Sequence, residues 1–263
     1  HDEKNAWENT HVVVDGRAGT RADVLWDGTK LYVASHGYTL APVAGFKCNL
    51  YRFSYDAALD TYTLDPGFPA VIHGTKVQTT TIEKDSMGKL WATWVQDSRV
   101  FVNRTVGDDS TWGLPFILPA DPTDIDSGDV SAIIAFGSGK AFGSSVGVFW
   151  SDAVTATHRF SFHPDGAPDE TWSAAEVVND GADSHMNLKA DSLGRVYAIV
   201  KDLNDDVLLF RRDTAGAWSE HLVYPGTDAH TRPFLLLHEA ASELRIYTAT
   251  PLKGGTIVEK IGT

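Results

Sequence analysis

The chain has 263 residues, 43% of them hydrophobic, with eight Trp, eight Tyr and twelve Phe, enough to fill a large core. Its 22 basic against 35 acidic residues give a net charge of -13, which repels phosphate backbones and anionic lipid and argues against a nucleic-acid partner. No run of about 18 apolar residues is present to insert in a membrane, and the single Cys48 excludes an intrachain disulfide or a multi-cysteine metal site.

The chain opens His1-Asp2-Glu3-Lys4 without a starting Met, as expected of a processed product. With Gly- and Asp-rich turns and the sequon Asn103-Arg104-Thr105, this predicts an extracellular or cell-surface protein. Ala6-Trp7 then leads into His11-Val12-Val13-Val14, a β-branched run that reads as strand. The same Trp tag returns at Thr111-Trp112 before Phe116-Ile117-Leu118, at Thr171-Trp172 before Glu176-Val177-Val178, and at Ala217-Trp218 before His221-Leu222-Val223.

Between these tags the chain repeats one plan. Module one (20–74) starts at Arg21 to Trp26, turns at Asp27-Gly28 and returns through Lys30 to Ala34, a hairpin pattern. Leu50 to Tyr55 alternates with period two, and Phe68 to Ile72 closes the module with Phe68 in the place of Trp. Module two (77–119) has strands at Thr79 to Glu83, Lys89 to Trp94 and Arg99 to Asn103, then the Trp112 strand. Module three (128–179) has Asp129 to Ile134, Gly147 to Trp150 after an insertion near Lys140, Arg159 to Phe162, and the Trp172 strand. Module four (184–225) has His185 to Lys189, Arg195 to Ile199, Val207 to Phe210 and the Trp218 strand. Module five (230–263) has Arg232 to Leu237, Leu244 to Thr248 and Thr256 to Glu259, one strand short.

Repeats of about 40–50 residues with four strands each are the signature of a β-propeller. The missing strand of module five matches the extra one at 6–15, whose insertion would cover an exposed edge. The expected fold is all-β: a single five-bladed propeller of four-stranded antiparallel blades, closed by the N-terminal strand.

Asp213-Thr214-Ala215-Gly216-Ala217-Trp218, Asp108-Asp109-Ser110-Thr111-Trp112 and Asp169-Glu170-Thr171-Trp172 resemble the Asp-box of sialidase-like (BNR-repeat) propellers. That resemblance implies a structural role, with Asp holding a turn and Trp packing between blades. Gly88 to Trp94 and His230 to Pro233 are similar to segments of uncharacterised secreted bacterial and archaeal propellers. A sialidase would also need a third convergent Arg and a Tyr–Glu pair, which are not found beside Arg21 and Arg232.

Propellers bind ligands where the innermost strands converge on the channel. Aligning the modules places Arg21, Thr79, His185 and Arg232 at equivalent positions, with Asp23, Asp129, Asn187 and His230 nearby. Arg21 and Arg232 would suit a carboxylate or sulfate; the bland alternative is an Arg21–Asp23 or Arg21–Asp129 pair that plugs the channel. A glycosidase needs carboxylates about 5–9 Å apart, for which Asp23 and Asp129 are the candidates. A polysaccharide lyase needs a cation and a proton carrier, for which His36, Tyr38, His185 and His230 are candidates. Asp121, Asp124 and Asp126, followed by Asp129, form an oxygen-rich run that suits calcium or simply a solvated loop; no other cofactor is expected. Because no catalytic set is complete, the favoured expectation is a non-catalytic module binding a glycan or a protein surface through the channel mouth and loops. A lyase or glycosidase acting on acidic polysaccharide is the alternative.

Overall fold

A computed structural model describes residues 12–37, 47–120, 124–137, 143–250 and 255–263. Its first sheet contains β1 (Thr20–Trp26), β2 (Lys30–Gly37), β3 (Cys48–Asp56), β4 (Thr61–Leu64) and β5 (Ala70–His73). The second contains β6 (Thr81–Lys84), β7 (Leu90–Gln96), β8 (Arg99–Arg104) and β9 (Phe116–Ile117). The third contains β10 (Ser131–Phe136), β11 (Ser145–Asp152), β12 (Thr157–Pro164) and β13 (Glu176–Asp180). The fourth contains β14 (Ala182–Ala190), β15 (Val196–Asp202), β16 (Val207–Arg212) and β17 (Trp218–Tyr224). The fifth contains β18 (Thr231–His238), β19 (Glu243–Thr250) and β20 (Thr256–Gly262). Each sheet is an antiparallel meander, and the first strands β1, β6, β10, β14 and β18 touch in succession around a common axis. The chain is an all-β, five-bladed β-propeller, as the repeat predicts.

Three details depart from the expected strands. In blade one the fourth position is shared: β4 pairs with the second half of β3 and β5 with its first half. The polar Thr61-Tyr62-Thr63 run gives no apolar signal for β4. In blade two Trp112 forms an isolated bridge with Thr105 and the strand proper is only Phe116–Ile117. The strand expected at 6–15 lies outside the described residues up to His11, and residues 12–15 are not in a strand. Val14 instead packs against Val33, Tyr51 and Phe53 of blade one.

Four apolar layers join consecutive blades. Tyr32, Leu50, Ile82, Leu90 and Trp94 fill the first layer, and Trp91, Val102, Ile133, Val148 and Trp150 the second. Phe149, Phe160, Leu188, Val196 and Phe210 fill the third, and Tyr197, Ile199, Leu209, Leu235 and Ile246 the fourth. Each fully buried large side chain contributes about 1.5–3 kcal/mol, so these layers dominate stability. The Trp tags belong to them: Trp112, Trp172 and Trp218 pack into the first, second and third layers, each against the preceding blade.

In two of the three tags the Asp side chain caps its turn, whereas the Asp169 carboxylate pairs with Arg104. Asp213 Oδ1 accepts the N–H groups of Ala215 and Ala217, and Asp108 Oδ1 that of Ser110. The sequon has a different use. Asn103 is buried, and its Nδ2 donates to Ile72 O at 3.1 Å and Gly113 O at 3.2 Å.

Candidate functional site

The propeller sets the first strands side by side, so the predicted channel residues gather around one axis, but most are engaged. Asp23 Oδ2 accepts the Ile82 N–H at 2.8 Å, across the joint between blades one and two. Thr81 Oγ1 accepts the Ile133 N–H and Asn187 Oδ1 the Leu235 N–H, both at 3.1 Å, across the second and fourth joints. These side chains clamp one blade to the backbone of the next. Burial raises the Asp23 carboxyl above its usual range, against the opposing hydrogen bonds and the Lys189 charge. Glu83 joins the same channel. Burial pushes its carboxyl up to about 7, although the Lys84 and Ala135 N–H groups and Lys189 favour its charged form. Glu83 and Lys189 were not among the sequence candidates, although strand alternation puts them on the same faces as Thr81 and Asn187.

At the channel mouth Arg21 Nη1 donates to Gln78 O at 3.4 Å, and His36 Nε2 lies 3.1 Å from the same oxygen. His36 is buried in β2, and burial pushes its imidazole below the usual range. Tyr38 lies outside the described residues. His230 is buried, stacked on Tyr224 at 3.8 Å, with Nδ1 2.7 Å from Thr248 Oγ1. His185 Nδ1 lies 3.0 Å from Asp183 Oδ1, whose other oxygen pairs with Lys201 at 3.0 Å. Burial alone would raise Asp183, but these hydrogen bonds and charges hold it well below the usual carboxylate range. Arg232 is exposed on a left-handed backbone (φ 50°).

Asp129 is buried and bound locally, accepting from Ser151 Oγ at 2.7 Å, Asp126 N at 2.8 Å and Ala153 N at 3.0 Å. It braces the start of blade three. Burial raises its carboxyl despite those bonds. The acidic run does not converge where it is described: Asp126 Oδ1 accepts the Gly128 N–H, and Asp124 faces Arg99 at 3.6 Å. Asp121 lies outside the described residues. Among the described residues no group of three or more His, Cys, Asp or Glu is arranged to hold a metal ion.

A second site was not anticipated. A groove of about 760 Å³ opens between blades four and five on the side away from the strand starts. Its floor is buried Tyr197 with Leu209, Val223, Leu237 and Leu244; its rim carries Arg195, Arg211 and His221 from blade four and Glu239 and Glu243 from blade five. Arg195 Nε donates to Asp191 Oδ2 at 2.5 Å, and the Tyr197 hydroxyl donates to the same oxygen at 3.2 Å. Burial, and then the Asp191 charge, raise the Tyr197 hydroxyl above its usual value, so it remains a donor. Arg211 and His221 are exposed on the same face. The groove exists because the fifth sheet has three strands among the described residues, whereas Trp112, Trp172 and Trp218, on or just before the fourth strands, cover the first three joints.

No protein-family model matches the chain, and no curated protein matches it. Solved structures do. The SapL1 lectin in complex with α-methyl fucoside is 15% identical with a TM-score of 0.63, over 92% of this chain and 76% of that one. A variant of the Aleuria aurantia lectin in complex with Fucα1-6GlcNAc is 12% identical with a TM-score of 0.64, over 93% and 75%. A structure of the Aleuria aurantia lectin described as a six-bladed β-propeller is 12% identical with a TM-score of 0.60, over 93% and 76%. At these identities the likeness is one of fold: this chain shares the β-propeller architecture of those lectins.

Proposed function

We propose that the chain is a non-catalytic carbohydrate-binding module and that sugar occupies the groove between blades four and five. The observation that carries this reading is the groove's make-up: an apolar floor ringed by Arg211, His221 and the Arg195–Asp191 pair. A pyranose offers an apolar C–H face and a rim of hydroxyls, which such a floor and such donors and acceptors complement. The fold it shares with lectins solved with fucosides supports the reading and makes fucosides the first ligands to try. An extracellular or cell-surface location accompanies it.

The catalytic alternative has less support. Asp23 and Asp129 are spent on backbone N–H groups, and the His36 and His230 rings are buried and engaged. Arg232 and the Asp183–His185 pair remain as its possible means at the channel mouth. A glycan array of fucosylated, neutral and acidic sugars, run with an ultraviolet assay for unsaturated uronate, separates the two. Saturable binding without product supports the module; product release from an acidic polysaccharide, or no binding to any glycan, would remove it.

A further inference from the structure

Each joint between blades buries one apolar residue of the following blade's first strand. These are Ile82, Ile133, Leu188 and Leu235, exposed by only 4%, 5%, 5% and 0%. The equivalent residue of blade one, turned toward blade five, is Val24, and it is 61% exposed. Trp26 on the same face is 48% exposed. The side of blade five that turns toward blade one is bare as well, with Phe234 at 44% and Leu236 at 41%. Among the described residues, the apolar cluster on this face of blade one draws on blade one itself and Val14. The fourth joint's clamp also has no counterpart here, since Phe234 stands where Asn187 offers an acceptor to the next blade.

We propose that the seam between blades five and one is a docking site for a sixth β-blade, an antiparallel sheet that is apolar on both faces. Among the described residues two exposed apolar sheet faces flank the seam, and large exposed apolar patches mark interaction sites. An occupant that covers both at once is a further sheet, the layer that fills the equivalent place beside every other blade. The lectin propeller with six blades matches 93% of this chain with 76% of its own length, the relation expected if one blade position is unfilled. A second copy of the chain fits poorly. With its own blade five or blade one in the seam, the adjoining blade would overlap one already in place.

The test is a 263-residue chain extended after Thr263, through a flexible Gly/Ser linker, by a second copy of residues 182–225, a sheet apolar on both faces. The extended chain should melt about 5 °C or more above the parent and bind less of a hydrophobic dye. Val24→Asp should lower its Tm while leaving the parent unchanged. Equal melting, equal dye binding and an indifferent Val24→Asp in both chains would overturn the proposal. Oxidative footprinting of the parent gives an answer even if the extension misfolds. Rapid labelling of Trp26 and Phe234 in a monomer is expected. Protection of both in a monomer, or in a dimer that forms with concentration, would overturn it in favour of self-closure or self-association.

Discussion

The Tyr197 hydroxyl donates to Asp191 Oδ2, while Oδ1 of the same carboxylate accepts the N–H groups of Leu193 and Arg195. One side chain thus fixes a hairpin turn and ties down an aromatic of the second strand. The device recurs with Asp85, which takes the N–H groups of Met87 and Lys89 and Trp91 Nε1, all within 2.9 Å. Asp27 repeats it with Thr29, Lys30 and the Tyr32 hydroxyl. Asp85 is buried, so Asp85→Ala strands three donors; we expect a loss of about 2–4 kcal/mol by urea denaturation. A change under about 0.5 kcal/mol would mean the turn holds without it.

Gly147 is needed for contact, not for a turn. A Cβ there would lie 2.3 Å from Phe160 Cζ, inside the ring that fills the layer between blades three and four. Gly147→Ala should cost about 1–3 kcal/mol through overpacking, and Gly147→Ala combined with Phe160→Leu should recover part of it. A neutral single substitution by thermal melting would contradict this packing.

Buried His73 and half-buried Glu83 give opposite pH dependences. Burial, with the His36 charge second, pushes the His73 imidazole down to about 4. Its folded value lies below the unfolded one near 6.5, so the stability it supports is present above about 6.5 and lost as pH falls through about 4. Glu83 is pushed up to about 7 from 4.5, so its contribution is present below 4.5 and lost as pH rises through about 7. Glu83→Gln should therefore raise Tm on the alkaline side and change little near pH 5. His73→Gln should flatten the decline between pH 6.5 and 4. Parallel Tm–pH curves for wild type and both variants would refute these assignments.

Asn103 answers to packing before glycosylation. With Asn103 buried and Nδ2 donating to two backbone carbonyls, it is closed to an oligosaccharide in the folded chain. Intact mass after expression in a glycosylating host should show no glycan at Asn103, and Asn103→Asp should lower Tm. A glycosylated, fully folded product would show that the site is accessible.

The repeat was legible because Asp-Gly turns bracket alternating strands, as at Lys189–Asp191–Arg195, and because Trp tags mark blade joints. What was not legible depends on neighbours. His36 reads as a candidate proton carrier yet is buried beside the Gln78 carbonyl, Asp23 reads as a catalytic carboxylate or a partner of Arg21 yet receives the Ile82 N–H, and Thr61–Leu64 pairs despite its polarity. The groove was invisible for the same reason. The strand that module five lacks was legible, but that its absence leaves Arg211 and His221 exposed beside an apolar floor depends on how blades four and five meet.

The most direct test of the account is titration of a glycan that binds the wild-type chain into Arg211→Ala and Arg232→Ala, followed by calorimetry. If sugar sits between blades four and five, Arg211→Ala weakens binding about tenfold or more and Arg232→Ala leaves it unchanged. Loss of binding in Arg232→Ala with Arg211→Ala unaffected would move the site to the channel mouth and contradict the central claim.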